Sequence, residues 1–405
     1  MHSNTIRPGL RQNLGQFILL VIINAFVGSM VGIERTIFPQ FAALHFQISS
    51  QTAMLSFIAA FGISKAITNY FAGRLANQWG RRNLLILGWV LALPVPAMLI
   101  TANQWMQVVL ANLLLGVSQG LTWSSTVVMK IDLVGEKNRG LAMGLNEFAG
   151  YLAIGVMAYL TGYIATVYGV APYPFYLGIG VAIVGLLLTF LTKDTGIFVA
   201  YQTKESKSAF ISNVFWQTTW QNSNLSAITQ AGLVNNLNDG MIWGLLPALL
   251  MQHRYSEQTA GIITGIYPTV WGIGQLFTGR MADKYSKKSM IFWGMLLQGV
   301  AIVLLPFDDA FYWIGLLAAI LGIGTALVYP TFLAAIAEAA HPAQCAESIG
   351  VFRFWRDSGY VFGALVSGIV ADLLGIPFAI AMVGFITILS AVGVQFRMSS
   401  HRGSS

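Results

Sequence analysis

The chain has 405 residues, of which 56% are hydrophobic and only 9% charged, with a net charge of +7 and a mean hydropathy of +0.68. Soluble globular proteins carry about 25% charged residues, so this composition excludes a soluble enzyme or binding module and specifies a polytopic membrane protein. The single cysteine, Cys345, excludes an internal disulfide and a cysteine-built metal site.

Apolar runs of about 20 residues recur along the whole length, each long enough to cross about 30 Å of hydrocarbon as a helix. They are continuous rather than alternating, which excludes a membrane β-barrel. The first run lacks a small-residue cleavage site, so it reads as a span and not as a signal peptide. After a polar tail, spans are expected at about 13–35, 50–72, 83–101, 106–130, 140–166 and 173–191. A polar linker follows at 192–226. Six more spans are expected at about 228–251, 259–278, 289–306, 311–337, 347–373 and 377–396. The expected units are therefore residues 1–191 and 227–405. Within the linker, Phe210, Val214 and Phe215 share a helical face with Trp216 and Trp220 at its edge. That suits a segment lying in the membrane interface; the plainer reading is an aromatic-containing loop.

Lys and Arg in short loops set orientation. Arg74, Arg81, Arg82, Lys137, Arg139, Lys193, Lys204, Lys207, Arg280, Lys284, Lys287 and Lys288 fall on one side, with both termini; Arg254 and Arg35 fall on the other. Both termini are expected in the cytoplasm. Positive charge spread over tethered loops makes nucleic acid a poor partner.

The chain repeats itself. Residues 73–83 read GRLANQWGRRN and residues 279–289 read GRMADKYSKKS, a displacement of 206 residues. Gln51-Thr52-Ala53 returns as Gln258-Thr259-Ala260, Pro39 as Pro247, and Ala149-Gly150-Tyr151 as Ser358-Gly359-Tyr360. Such self-similarity marks two structural repeats in tandem.

With these residues the chain resembles the major facilitator superfamily. Gly73, Leu75, Ala76, Gly80, Arg81 and Arg82 match that family's loop pattern between its second and third helices, while Asn77 stands where the pattern has Asp. The second copy, from Gly279 and Arg280, keeps Asp283 but has Ser286 for Gly. Asp132 and Arg139-Gly140 also fall where the family has them. Within the superfamily the first half looks closest to the bacterial drug and small-solute efflux branch. The resemblance implies an all-α membrane protein of twelve transmembrane helices in two pseudo-symmetric six-helix bundles. These rock about a site near the membrane midplane. It also implies that the loop motif is a latch that breaks as the bundles rock. With Asn77 uncharged, Asp283 is expected to carry more of the bias between states.

Ionisable residues at membrane depth are functional candidates by default. Asp239, crowded by Asn235, Asn236 and Asn238, is the first candidate for carrying a proton, and Glu147 the second. The bland alternative at Asp239 is an Asx-rich break in the helix beside Gly240. Lys65 and Asp357 have matching depths on spans that face each other in the family fold, and are expected to pair, as a link formed in one orientation and broken in the other; the plainer readings are a static pair or a Lys reaching to water. Arg353 shares a face with Asp357 at i,i+4 spacing, whereas Arg356 is expected to point elsewhere. Arg356 suits an anionic substrate group, since Arg binds carboxylate bidentately; Arg353 is expected to meet headgroups. Glu34 and Arg35 either gate the outer mouth or, in the plainer and favoured reading, meet the far water interface. Asp132 is expected to partner Arg81 or Arg82. By family analogy Asn24, Gln119, Trp123, Trp243 and Tyr329 face the cavity, with Tyr151, Tyr267, Trp271 and Trp355 on flanking helices; Asn235 and Asn236 are further candidates for touching the solute. Gly116/Gly120, Gly261/Gly265 and Gly359/Gly363 are small-xxx-small pairs for close helix packing.

The expected function is a secondary carrier of a bacterial-type inner membrane, monomeric, with no cofactor and no nucleotide-binding loop. Proton-driven export (antiport) of a small organic solute is the leading reading, and uptake or exchange of an organic anion the alternative. A non-transporting membrane sensor is weaker, because neither tail is long enough for a soluble domain.

Overall fold

A computed structural model describes residues 9–134, 139–196, 213–339 and 345–399. The first half comprises α1 (Leu14–Arg35), a short α2 (Phe38–Phe46), α3 (Gln51–Trp79), α4 (Arg81–Ala92), α5 (Pro94–Ile100), α6 (Trp105–Val134), α7 (Arg139–Tyr168) and α8 (Tyr173–Phe190). The second comprises a single turn α9 (Val214–Trp216), α10 (Ser223–Gln252), α11 (Glu257–Lys284), α12 (Lys287–Leu304), α13 (Phe311–Ala339), α14 (Cys345–Leu374) and α15 (Ile376–Arg397). Leu93-Pro94 breaks the third expected span into α4 and α5, because proline withholds an amide from the helix ladder.

Among the described residues, ten segments are long and apolar enough to cross a membrane. Neither α10 nor α11 is one of them. Both are long, but α10 carries Asn235, Asn236, Asn238 and Asp239, all buried. Its neighbours surround it from Leu225 to Leu250, so its polar atoms meet protein rather than lipid.

The repeat is visible in the helix ends. Ser50 Oγ accepts from the Ala53 amide and Ser256 Oγ from the Thr259 amide, each at 3.2 Å, capping α3 and α11 in the same way. Gly169 and Gly375, again 206 apart, hold φ of +95° and +90° at the turns into α8 and α15; such angles favour glycine. The halves meet along α7 against α11 and α3 against α14. The linker differs from its expected bounds: α10 starts at Ser223, ahead of 227. Residues 207–212 of the expected interfacial segment lie outside the described residues. Val214 is buried, Trp216 and Trp220 are exposed, and Trp355 Nε1 donates to Thr219 Oγ1 at 3.1 Å.

The glycine pairs are helix contacts. A Cβ on Gly359 or Gly363 would lie 2.2 Å from the carbonyl oxygen of Leu233 or Leu237 on α10, and backbone cannot yield as a side chain can. Gly363→Ala should therefore force α14 off α10 at a cost of about 1–3 kcal/mol. The check is the unfolding midpoint in detergent; an unchanged midpoint would show that the two helices part freely.

Candidate functional site

Two cavities lie between the halves. They are placed here by the motif end of the bundle, which carries Gly80, and the far end, which carries Ser50. The motif-side cavity is lined by Lys65 and Asn69 of α3, Trp123 and Ser124 of α6, Tyr151, Tyr329, and Arg353, Arg356 and Asp357 of α14. A chain of hydrogen bonds crosses its floor. Ser124 Oγ donates to Asn69 Oδ1 at 2.7 Å, and Asn69 Nδ2 donates to Asp357 Oδ2 at 2.5 Å. Asn236 Nδ2 and Arg356 Nη1 donate to Asp357 Oδ1 at 3.3 and 3.2 Å.

In this state the structure differs from three expectations. Lys65 and Asp357 share the cavity but form no ion pair. The carboxylate is occupied by Asn69, Asn236 and Arg356, while Lys65 Nζ rests among the rings of Phe61, Trp123 and Tyr360 at 5.3–5.5 Å. Arg356, expected to point away from Asp357, bonds it; the long guanidinium arm bends back where helical spacing alone puts neighbours apart. Arg356 also lies over the Tyr329 ring at 4.4 Å, and its Nε and Nη2 have no hydrogen-bond partner among the described residues. Arg353 is half-buried and faces the cavity, not headgroups. Asp357→Ala should strand Arg356 and cost about 3 kcal/mol or more. Adding Arg356→Leu should recover more of the folded yield than adding Lys65→Ala; equal recovery would reinstate the Lys65–Asp357 pairing.

The far-side cavity is lined by Arg35, Ile154, Ile242, Trp243, Leu246, Thr264 and Pro268 among others. Glu34 and Arg35, read from the sequence as meeting water, are buried at 2% and 3% exposure. Arg35 ends α1 but turns inward over Trp243, 4.2 Å from its centroid.

Asp239 is fully buried. Its Oδ1 accepts from the Tyr267 hydroxyl, and Oδ2 has no hydrogen-bond partner among the described residues. Arg35, Lys65 and Arg356 are the cations within its electrostatic reach. Aromatic rings fill the space around it: Tyr151 stacks on Trp271 at 3.5 Å and Trp243 on Tyr360 at 5.2 Å. Glu147 is held by Trp123 Nε1 at 3.0 Å and Asn146 Nδ2 at 2.9 Å, with Oε2 unpartnered.

Other sequence candidates pack rather than line a cavity. Asn24 donates to the Asn146 carbonyl at 2.6 Å and accepts from Thr126 at 2.9 Å. Gln119 donates to the Val27 carbonyl at 2.9 Å. Asn235 donates weakly to Asn236 at 3.4 Å. Sequence reasoning missed Lys130, which is fully buried and donates to the Leu20 carbonyl at 3.1 Å.

At the motif end, Arg81 Nε donates to Asp132 Oδ2 at 2.8 Å, and Thr195 joins at 2.7 Å. Shifted by 206 residues, the same pair recurs as Lys287 bonded to Glu338. Arg82 donates through Nη2 to the Phe190 carbonyl at 2.9 Å. Gly80 turns the chain at φ +84°. Arg280 is exposed and Gly279 half-buried. The side chains of Asn77 and Asp283, and the surroundings of Gly73, lie outside the described residues, so the latch expected there is not described.

At the far end the halves are tied directly. Asp372 of α14 accepts from Ser50 Oγ, the Gln51 and Thr52 amides and Thr52 Oγ1 at 2.5–3.0 Å, so an acid of one half caps a helix of the other. Its counterpart by the repeat is neutral: the Gln258 amide donates to Thr166 Oγ1 at 2.8 Å. Thr36 and Thr264 hydroxyls meet at 3.0 Å.

A family model described as "Major Facilitator Superfamily" matches residues 17–232 and again 228–403. The inner membrane transport protein YnfM of Escherichia coli is 25% identical over 41% of this chain and 40% of its own length. The proton-coupled antiporter flippase LtaA of Staphylococcus haemolyticus is 23% identical over 97% of each chain. Among solved structures, the human organic anion transporter MFSD10 superposes with a TM-score of 0.72 at 16% identity, covering 96% of this chain and all of that one. A POT family transporter bound to 5-aminolevulinic acid gives 0.74 at 15% identity, covering 93% and 94%.

Proposed function

The chain belongs to the major facilitator superfamily, a transporter family and not an enzyme family, and on that footing we propose that it moves a small organic anion across a bacterial-type inner membrane together with protons, by alternating access. In this reading α10 and α11 join the ten apolar segments to give twelve spans, divided into residues 1–191 and a second half that begins with α10 at Ser223. The Gly80 end, rich in Lys and Arg, faces the cytoplasm with both termini. The far-end ties then close the outer mouth, leaving the motif-side cavity as the solute site.

The observation that carries the substrate class is Arg356: buried, with Nε and Nη2 unpartnered, beside an unpaired Lys65. A carboxylate satisfies a guanidinium fork bidentately, and the rings of Trp123, Tyr151 and Tyr329 offer the solute's apolar body a lining. Lys65 and Arg356 favour the anion over the exported neutral or cationic solute. Asp239 and, after it, Glu147 are the proton carriers, each a buried carboxyl with one unpartnered oxygen.

The test is thermal stability of the detergent-purified protein against benzoate and a set of organic carboxylates and apolar amines. A ligand at a hundredfold excess over its Kd stabilises the fold by about 2.7 kcal/mol. Stabilisation by a carboxylate that disappears in Arg356→Gln supports the reading; stabilisation confined to apolar cations would move it to drug-type export.

A further inference from the structure

The far-side cavity holds a buried guanidinium that makes no hydrogen bond among the described residues. Arg35 is 3% exposed, and its Nε, Nη1 and Nη2 have no hydrogen-bond partner among the described residues. Adjacent Glu34 forms no ion pair with it and leaves its own Oε2 unpartnered. Its direct contacts are with rings, 4.2 Å from the Trp243 centroid and 5.2 Å from Phe61, while Glu34 and Asp239 lie within electrostatic reach. Cation–π contact offsets only part of the desolvation of a guanidinium. Five donors aimed into a cavity walled by Ile154, Ile242, Leu246 and Pro268 are the complement of a carboxylate with an apolar body.

A stack of rings runs from Arg35, which lines one cavity, to Lys65, which lines the other. Arg35 lies over Trp243, Trp243 stacks on Tyr360 at 5.2 Å and 24°, and Lys65 Nζ lies 5.4 Å from Tyr360. A cation thus stands at each end of a two-ring septum. We infer that Arg35 forms a second anion-binding station, which receives the solute's carboxylate on the far side of the Trp243–Tyr360 septum, so that the solute passes between Arg356 and Arg35 as the halves rock. This rests on the organic-anion reading. The alternative is a plug: Arg35 packed on Trp243 merely to fill the closed far end.

The experiment uses labelled benzoate as probe, in proteoliposomes and in detergent, with wild type, Arg35→Gln and Arg35→Lys. For a second station, Arg35→Gln raises the apparent KM for benzoate offered at the far-end face at least tenfold. Stabilisation by benzoate in detergent, which reads the Arg356 cavity, changes less than twofold. Arg35→Lys recovers part of the KM, because the cation is what the station needs. A far-face KM equal to wild type, or an Arg35→Lys variant no better than Arg35→Gln, overturns the second station and leaves the Arg356 reading standing. No benzoate flux in wild type, with no difference in Arg356→Gln, overturns both.

Discussion

Asp239→Asn should abolish pH-driven accumulation of the solute while leaving exchange at equal pH in place. Asparagine has the same shape and still accepts from the Tyr267 hydroxyl, so the helix–helix contact and membrane insertion survive. What it cannot do is change charge. Asp239 is completely buried, makes one hydrogen bond and sits within electrostatic reach of Arg35, Lys65 and Arg356. As a carboxylate it competes with a bound anion for those cations; as the acid it releases them. That competition ties a proton to a solute charge, and neutralising the position removes it. The expected result is at least a tenfold loss of accumulation driven by a pH gradient, with counterflow retained and the unfolding midpoint unchanged. Undiminished pH-driven flux in Asp239→Asn would take Asp239 out of the mechanism and move the coupling to Glu147.

The second large effect is expected at the far end. The tie made by Asp372 is charged, and its pseudo-symmetric counterpart at Thr166 is neutral. A carboxylate at a helix N-terminus satisfies amides that have no partner within the helix and complements the helix dipole. Asp372 is exposed to water, so the tie is worth about 1 kcal/mol, in the range of a helix cap. Losing it changes the balance between the two orientations about fivefold. Asp372→Asn should shift the population toward opening at Ser50, read as a longer distance between spin labels on the tips of the two halves. Thr166→Asp should do the reverse by charging the second tie, and in the double variant Thr166→Asp/Asp372→Thr the charge merely changes place, so the balance returns toward wild type. If Asp372→Asn leaves the distance distribution as in wild type, the cap is a local feature with no hold on the transport cycle.

Much of this arrangement was legible in the sequence because the repeat and the apolar runs are local signals. The Gly73 and Gly279 motif copies reveal two halves, and the glycine pairs mark where backbones touch. Partnerships across the halves were harder to read. Lys65 and Asp357 share a depth, but depth does not say which of Asn69, Asn236 and Arg356 reaches the carboxylate first. Lys130 looked like the end of a span, because hydropathy does not distinguish a lysine reaching water from one turned inward onto a carbonyl such as that of Leu20. Glu34 and Arg35 were read as surface groups for the same reason: they end a helix, and only the packing of Trp243 and Phe61 shows that the end is buried. The charged pairs at the motif end, Arg81–Asp132 and Lys287–Glu338, obey the 206-residue displacement that the motif defined. Carrying that displacement through every charged residue finds the second pair from the sequence alone.

The most direct test of coupled anion transport is a flux measurement in proteoliposomes loaded with a pH-sensitive dye and given an inward gradient of a carboxylate that stabilises the purified protein. The account predicts that the lumen acidifies as the solute enters, that Arg356→Gln abolishes solute entry and acidification together, and that Asp239→Asn allows exchange without acidification. Solute entry through wild type with no proton movement, or acidification unchanged in Asp239→Asn, would contradict it.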